Sequence, residues 1–204
     1  MPAPFRDPAP GDPRVRRTRD RILSVARELL PRTGAAGLTY SLLAAQAGVT
    51  RQTLYRHWPV RAALLVELIL QGPPPAEYPR PAQDPGAVAR AWLRSLRAGM
   101  NEPGTRAAVL AVTAEADHDA DSAQALVQIG TDRLTALNEL LQPSGCQITA
   151  EEYTQLYGPV LARLFFERRE VTDEFIDALV AHWLTMRAEC CGSGGTCWPG
   201  HGRA

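Results

Sequence analysis

Apolar residues recur at helical spacing in one segment after another, and that rhythm predicts an all-α chain. Ile22, Leu23, Ala26, Leu29 and Leu30 form the first stripe, with Thr18 placed to cap its helix and Gly34 and Gly37 placed to end it. Two short helices follow between Leu38 and Trp58, separated by three residues, each preceded by a threonine at the N-cap position, Thr39 and Thr50. A fourth helix is expected over about residues 59–71, after which prolines from Pro73 to Pro85 make a stiff connector. Asp84 and Pro85 then supply the cap and first position of a helix carrying Val88, Trp92, Leu93 and Leu96, broken at Pro103 and Gly104. Further helical segments are expected near 105–118 and 120–141, up to a break at Pro143, Ser144 and Gly145.

The last two helices carry the heaviest stripes. Thr149 with Glu152 makes a capping box for a helix bearing Tyr153, Leu156, Tyr157, Val160, Leu161, Leu164 and Phe165, which Pro159 is expected to kink. Thr172 caps the final helix, with Asp173 and Glu174 in its first turn and Phe175, Ile176, Leu179, Val180, Trp183 and Leu184 as its apolar side. Surfaces this rich in aromatic and branched residues call for a partner, either the chain's own core or a second copy.

The stretch around Gly48 carries the chemistry. Gly48 stands where one short helix stops and the chain turns, a place that favours positive φ and hence glycine. Small Ala44 and Ala45 allow the next helix to cross closely, and Val49, Leu54 and Trp58 point to the interior. With Leu54 taken as inward, Gln52 lies at about 160° and Arg56 at about 200°, so both face outward, while Thr53 and Tyr55 flank them. Arg pairs with guanine O6 and N7, and Gln with adenine N6 and N7, so this face holds base-reading groups. Thr50 and Arg51 at the helix start offer amide donors and charge to a phosphate, with Tyr55 and His57 as phosphate or sugar contacts.

The run Gly48-Val49-Thr50, then Thr53 to Pro59, then Arg61 and Ala63-Leu64-Leu65, resembles the DNA-binding domain of the TetR family of repressors. Members commonly read G-V-S-x-x-T-L-Y-x-H-F, then a proline-led turn and a Lys opening the fourth helix. Here Trp58 stands for Phe, Thr50 for Ser and Arg61 for Lys, which keeps aromatic bulk, a capping oxygen and positive charge, while Leu42 takes a place often polar in the family. The resemblance covers about residues 15–71. It implies that Thr39, Tyr40, Thr50, Arg51, Gln52, Thr53, Tyr55, Arg56, His57 and Arg61 line an interface with double-stranded operator DNA. It also implies a homodimer built on the last two helices, with Tyr157, Leu161, Leu164, Phe165, Phe175, Leu179 and Trp183 at the interface. A small-molecule effector of unknown identity is then expected in the second domain, with Trp92, Met100, His118, Tyr153 and Phe166 as candidate lining residues.

The expected layout is a disordered tail over 1–13, a three-helix helix-turn-helix DNA-binding domain over 14–71, the connector over 72–85, a helical effector and dimerisation domain over 86–190, and a flexible Gly/Cys tail over 191–204. Charge supports this division. The chain is neutral overall, yet residues 1–71 hold 11 Arg against five acids, +6, and the remainder 11 Arg against 17 acids, −6, so a phosphate backbone would be met by the first part. Every basic residue is Arg, which suits phosphate and guanine.

At 45% hydrophobic and 22% charged the composition is that of an ordinary globular protein, without a membrane span or signal peptide, so a cytoplasmic location is expected. Cys190, Cys191 and Cys197 near His201, and Cys146 in a loop, form no C-x-x-C pair and are expected to be idle thiols rather than a metal site. No G-x-S-x-G, H-E-x-x-H or Walker A sequence is present, so no enzyme, catalytic residue or cofactor is expected. The competing readings are a helical protein-interaction adaptor and an activator on the same fold.

Overall fold

The computed structural model describes residues 13–70 and 79–192, with side chains to 188. Most of the expected tail over 1–13, the first part of the connector, Cys197 with His201, and the side chains of Cys190 and Cys191 lie outside the described residues. The described chain is all-helical: α1 Pro13–Gly37, α2 Tyr40–Ala47, α3 Arg51–His57, α4 Arg61–Leu70, α5 Pro85–Asn101, α6 Pro103–Glu115, α7 Ala120–Leu141, α8 Ala150–Phe165 and α9 Asp173–Gly192. It packs as two units, one from Met1–Gly72 with Glu102–Val127, the other from Pro73–Asn101 with Gln128–Ala204. Residues 102–127, grouped by the sequence reading with the second domain, therefore pack with the first.

In the first unit Ile22, Leu23, Ala26 and Leu30 of α1 are buried together with Leu43, Ala44 and Ala47 of α2, Leu54 of α3 and nearly all of α4. Helix α1 leaves helical geometry at Gly34 (φ 67°, ψ 176°), where the apolar stripe ends. Thr18 does not cap this helix. The helix already runs from Pro13, and the Thr18 hydroxyl donates to the Arg14 carbonyl one turn back, at 2.9 Å. Helix α6 lies against α1, and Gly104 is what lets it come so near: a Cβ there would stand 2.9 Å from the Arg27 carbonyl oxygen. The start of α6 is capped by Glu102, whose carboxylate accepts from the amides of Gly104 (2.9 Å) and Thr105 (2.5 Å).

Between α2 and α3 the chain turns at Gly48, which is left-handed (φ 63°, ψ 42°) and donates its amide back to the carbonyls of Ala44 and Ala45. Ala44 faces the core, whereas Ala45 faces out. Gly48→Ala is expected to cost about 1–2 kcal/mol, because space is free there but the backbone is one an L side chain adopts unwillingly. A urea titration checks this, and an unchanged midpoint would mean that the turn relaxes.

The second unit follows the expected caps. Asp84 accepts from the Gly86 amide (2.8 Å), Thr149 and Glu152 close a reciprocal capping box, and Thr172 accepts from the Phe175 amide (3.3 Å). Helix α8 continues through Pro159. Asn138 closes the turn after α7 by bonding Ile148 both ways, its amide donating to the carbonyl (3.1 Å) and its oxygen accepting from the backbone N–H (2.9 Å). Asp173 at the head of α9 takes Arg97 (2.8 Å) and Arg94 (3.2 Å) of α5, pairs that hold its carboxyl below the usual range.

Candidate nucleic-acid interface

Helix α3 is divided lengthwise. Leu54 and the cap residue Trp58 are 0% and 1% exposed, whereas Arg51, Gln52, Tyr55 and Arg56 are exposed and Thr53 and His57 half-buried. Thr50 caps the helix by accepting from the Thr53 amide (3.2 Å), and Thr39 caps α2 by accepting from the Leu42 amide (3.2 Å). Thr39, Thr50, Arg51, Gln52, Thr53, Tyr55 and Arg56 thus lie on the two short helices and the turn that joins them.

The aim of α3 is fixed from behind. Glu67, buried in α4, accepts from Arg19 of α1 through both oxygens (2.6 Å each) and from the Trp58 indole N–H (2.6 Å). One carboxylate therefore ties α1, α4 and the end of α3 together, with the Arg19 guanidinium 5.9 Å from the Trp58 ring centre. Tyr40 of α2 adds a second tie: its hydroxyl donates to the Trp58 carbonyl (2.8 Å) and its ring packs edge-on to Tyr55 with centroids 4.9 Å apart. Burial, with Tyr55 adding and Arg61 opposing, pushes the Tyr40 phenol up to about 12, so it stays a neutral donor.

Two sequence candidates are turned inward. Arg61 donates to the Ala35 carbonyl and pairs with Glu115 of α6 at 3.1 Å, so its charge is already met within the first unit. His57 has a buried Nε2 without a hydrogen-bond partner, and burial, with Arg56 and Arg19 adding and Glu67 opposing, pulls its pKa below the ordinary value. Its ring stands tilted beside Trp58 at 5.4 Å.

Sequence reasoning missed Arg19, Glu67 and Glu115. The first two had a signal: Arg19 lies three and four residues before Ile22 and Leu23, on the inner side of α1, and Glu67 is the lone acid in an otherwise apolar run. Glu115 had none.

The candidate effector residues are not gathered in one place. Trp92 and Tyr153 neighbour one another in the core of the second unit and Met100 is buried too, whereas Phe166 is 87% exposed at the end of α8 and His118 is exposed in the segment after α6. An open groove of about 540 Å³ lies elsewhere in that unit, lined by Thr135, Asn138, Glu139, Gln142, Cys146 and Gln147, and none of the five belongs to it. Of the dimerisation candidates, Leu164 and Trp183 are buried in the chain's own core, while Tyr157, Leu161, Phe165, Phe175 and Leu179 are half-buried. Among the described residues no group of three His, Cys, Asp or Glu is placed to hold a metal, and no helix is long and apolar enough to cross a membrane.

Residues 22–68 match the family model for bacterial regulatory proteins of the tetR family. Among solved structures, the TetR family transcription regulator SCO0332 is 30% identical with a TM-score of 0.60, the match covering 82% of this chain and 97% of that one. A putative TetR-family transcriptional regulator from Mesorhizobium loti matches at 19% identity and TM-score 0.60, covering 86% and 98% of the two chains. The multidrug binding protein EbrR, crystallised with imidazole, matches at 21% identity and TM-score 0.58, covering 90% and 96%. These last two show likeness of fold alone. No curated protein matches.

Proposed function

The chain belongs to the TetR family of transcriptional regulators, and from that premise we propose that it is a repressor which reads an inverted-repeat operator as a homodimer and leaves it when a small molecule binds its second unit. The division of α3 carries this reading: the helix is anchored through Leu54 and Trp58, and what it leaves to solvent is Gln52, Tyr55 and Arg56, the side-chain chemistry that reads purines in the major groove. Thr39, Thr50, Arg51 and Thr53 surround that face as phosphate-positioning groups. Tyr40 and Arg61, committed to Trp58, Ala35 and Glu115, contribute by holding the short helices in place.

Dimerisation follows from the need for two recognition helices about 34 Å apart to engage two half-sites. The half-buried Tyr157, Leu161, Phe165, Phe175 and Leu179, with exposed Met186, support a second copy against α8 and α9. An effector then acts by its difference in affinity between the DNA-fitting state and the other.

The test is selection of sites from a random duplex library by the purified protein at near-physiological salt. Enrichment of an inverted repeat, bound more weakly as salt rises, is the expected result. An unenriched pool from folded protein would remove the reading.

A further inference from the structure

Helix α1 begins well before its core does. Its first buried side chain is Ile22, so residues 13–21, about 13 Å of helix, bury no side chain of their own. Arg14, Arg16, Arg17 and Arg21 of this stretch are exposed, against one exposed acid, Asp20. With Ala26 taken as inward at about 100° per residue, Arg14, Arg17 and Arg21 fall about 120–180° away, an outward strip at i, i+3 and i+7. Arg16, Arg17 and Arg21 pair with no acid among the described residues.

That charge sits at the end of a helix that disfavours it. The free amides of a helix start carry positive partial charge, so acids there stabilise and cations do not. Helices α5 to α9 obey this, each opening on or beside an acid: Asp84, Glu102, Asp121, Glu151 with Glu152, and Asp173 with Glu174. Helix α4 opens on Arg61, whose charge the Ala35 carbonyl and Glu115 meet, and α3 opens on Arg51, read above as a phosphate contact. Helix α1 has arginines at its start, no acid in its first turn, and no core to compensate.

The strip begins beside the recognition helix. Glu67 holds Arg19 against Trp58, the residue that ends α3, and the arginine-bearing turns run on from that point within the same unit. A guanidinium suits a phosphate, and a row of them at helical spacing suits a chain of phosphates better than one small anion. Val15 is the lone large apolar residue of the stretch, which leaves nothing to insert into a lipid surface. We propose that the opening turns of α1, through Arg14, Arg16, Arg17 and Arg21, form a second DNA-contacting element that grips the phosphate backbone beside the groove α3 enters. The inference rests on the operator-binding reading above and adds to that interface a part without sequence information.

The test is the salt dependence of binding by the full chain to the selected operator and to a random duplex of equal length. Arg17→Gln with Arg21→Gln removes two guanidiniums from each protomer. It is expected to weaken both duplexes alike, by about tenfold or more near physiological salt, and to make the slope of log K against log salt shallower by about 3–4. Arg17→Gln alone should give about half that change in slope, and Arg17→Lys with Arg21→Lys should keep the wild-type slope. The melting temperature of the glutamine variants is expected to hold or rise, since cations leave a helix start that disfavours them, which separates lost contacts from lost fold. An unchanged slope in the paired glutamine variant overturns the proposal and leaves the operator reading standing. Loss confined to the operator would place these arginines on base edges and also overturn it. Unchanged binding to both duplexes, with loss of binding to phosphatidylglycerol vesicles, would put the strip on a membrane instead. A chain that enriches no site yet binds random duplex with a slope that depends on Arg17 and Arg21 keeps the proposal and removes the operator reading; a wild-type chain that binds no duplex at any salt removes both.

Discussion

Glu67→Ala is expected to destabilise the protein by about 3–5 kcal/mol, seen as a lower urea midpoint with the slope unchanged. The magnitude follows from what is left behind rather than from the pair itself. Arg19 loses both carboxylate oxygens and the Trp58 indole loses its acceptor, in a place where Glu67 is only 8% exposed. A buried ion whose partner is removed costs much more than the intact pair contributes. Glu67→Gln keeps an acceptor for Trp58 while giving up the charge facing Arg19, so its loss is expected to fall lower, at about 1–3 kcal/mol. A loss below about 1 kcal/mol for the alanine variant would mean that water reaches Arg19 and takes the place of the carboxylate.

Arg56→Ala is expected to leave stability within about 0.5 kcal/mol, since the side chain is exposed, and to spend its whole effect on DNA. One bidentate guanine contact is worth about 1–3 kcal/mol of discrimination, and a homodimer makes it in both half-sites. Affinity for the selected operator should therefore fall by about 2–6 kcal/mol, roughly thirtyfold to twenty-thousandfold, while binding to random duplex changes little. Titration of both duplexes at one salt concentration decides it. Equal losses on the two would place Arg56 on a phosphate.

What was legible beforehand is what local chemistry determines. Thr39, Thr50, Thr149 and Thr172 cap helices because a hydroxyl three residues ahead of an amide is enough to do so, and Gly48 turns left-handed because the helix before it has to end there. The inward set of α3 followed from helical phase with Leu54 as reference. Thr18 misled because its place before the apolar stripe resembles a cap, while the helix extends a further turn on arginines that need no core. Glu102 went unread as a cap because Pro103 and Gly104 signal only a break. The grouping of 102–127 with the first unit depends on Gly104 meeting Arg27 and on Arg61 meeting Glu115, contacts between residues far apart in sequence that no local pattern encodes. The effector candidates were chosen by type, and type alone could not distinguish buried Trp92 from exposed Phe166.

The carboxylate shared by Arg19 and Trp58 also bears on how this sequence can change over generations. Phenylalanine at 58 removes one of the three hydrogen bonds that Glu67 accepts, leucine at 67 takes the carboxylate from both Arg19 and Trp58, and an aliphatic residue at 19 removes the cation that faces the acid. Each single step passes through a less stable protein, yet replacing the buried set together by well-packed apolar residues can be neutral or better. Positions 19, 58 and 67 therefore behave as one inherited character, and the indole at 58 is retained by its epistatic partners as much as by its own packing.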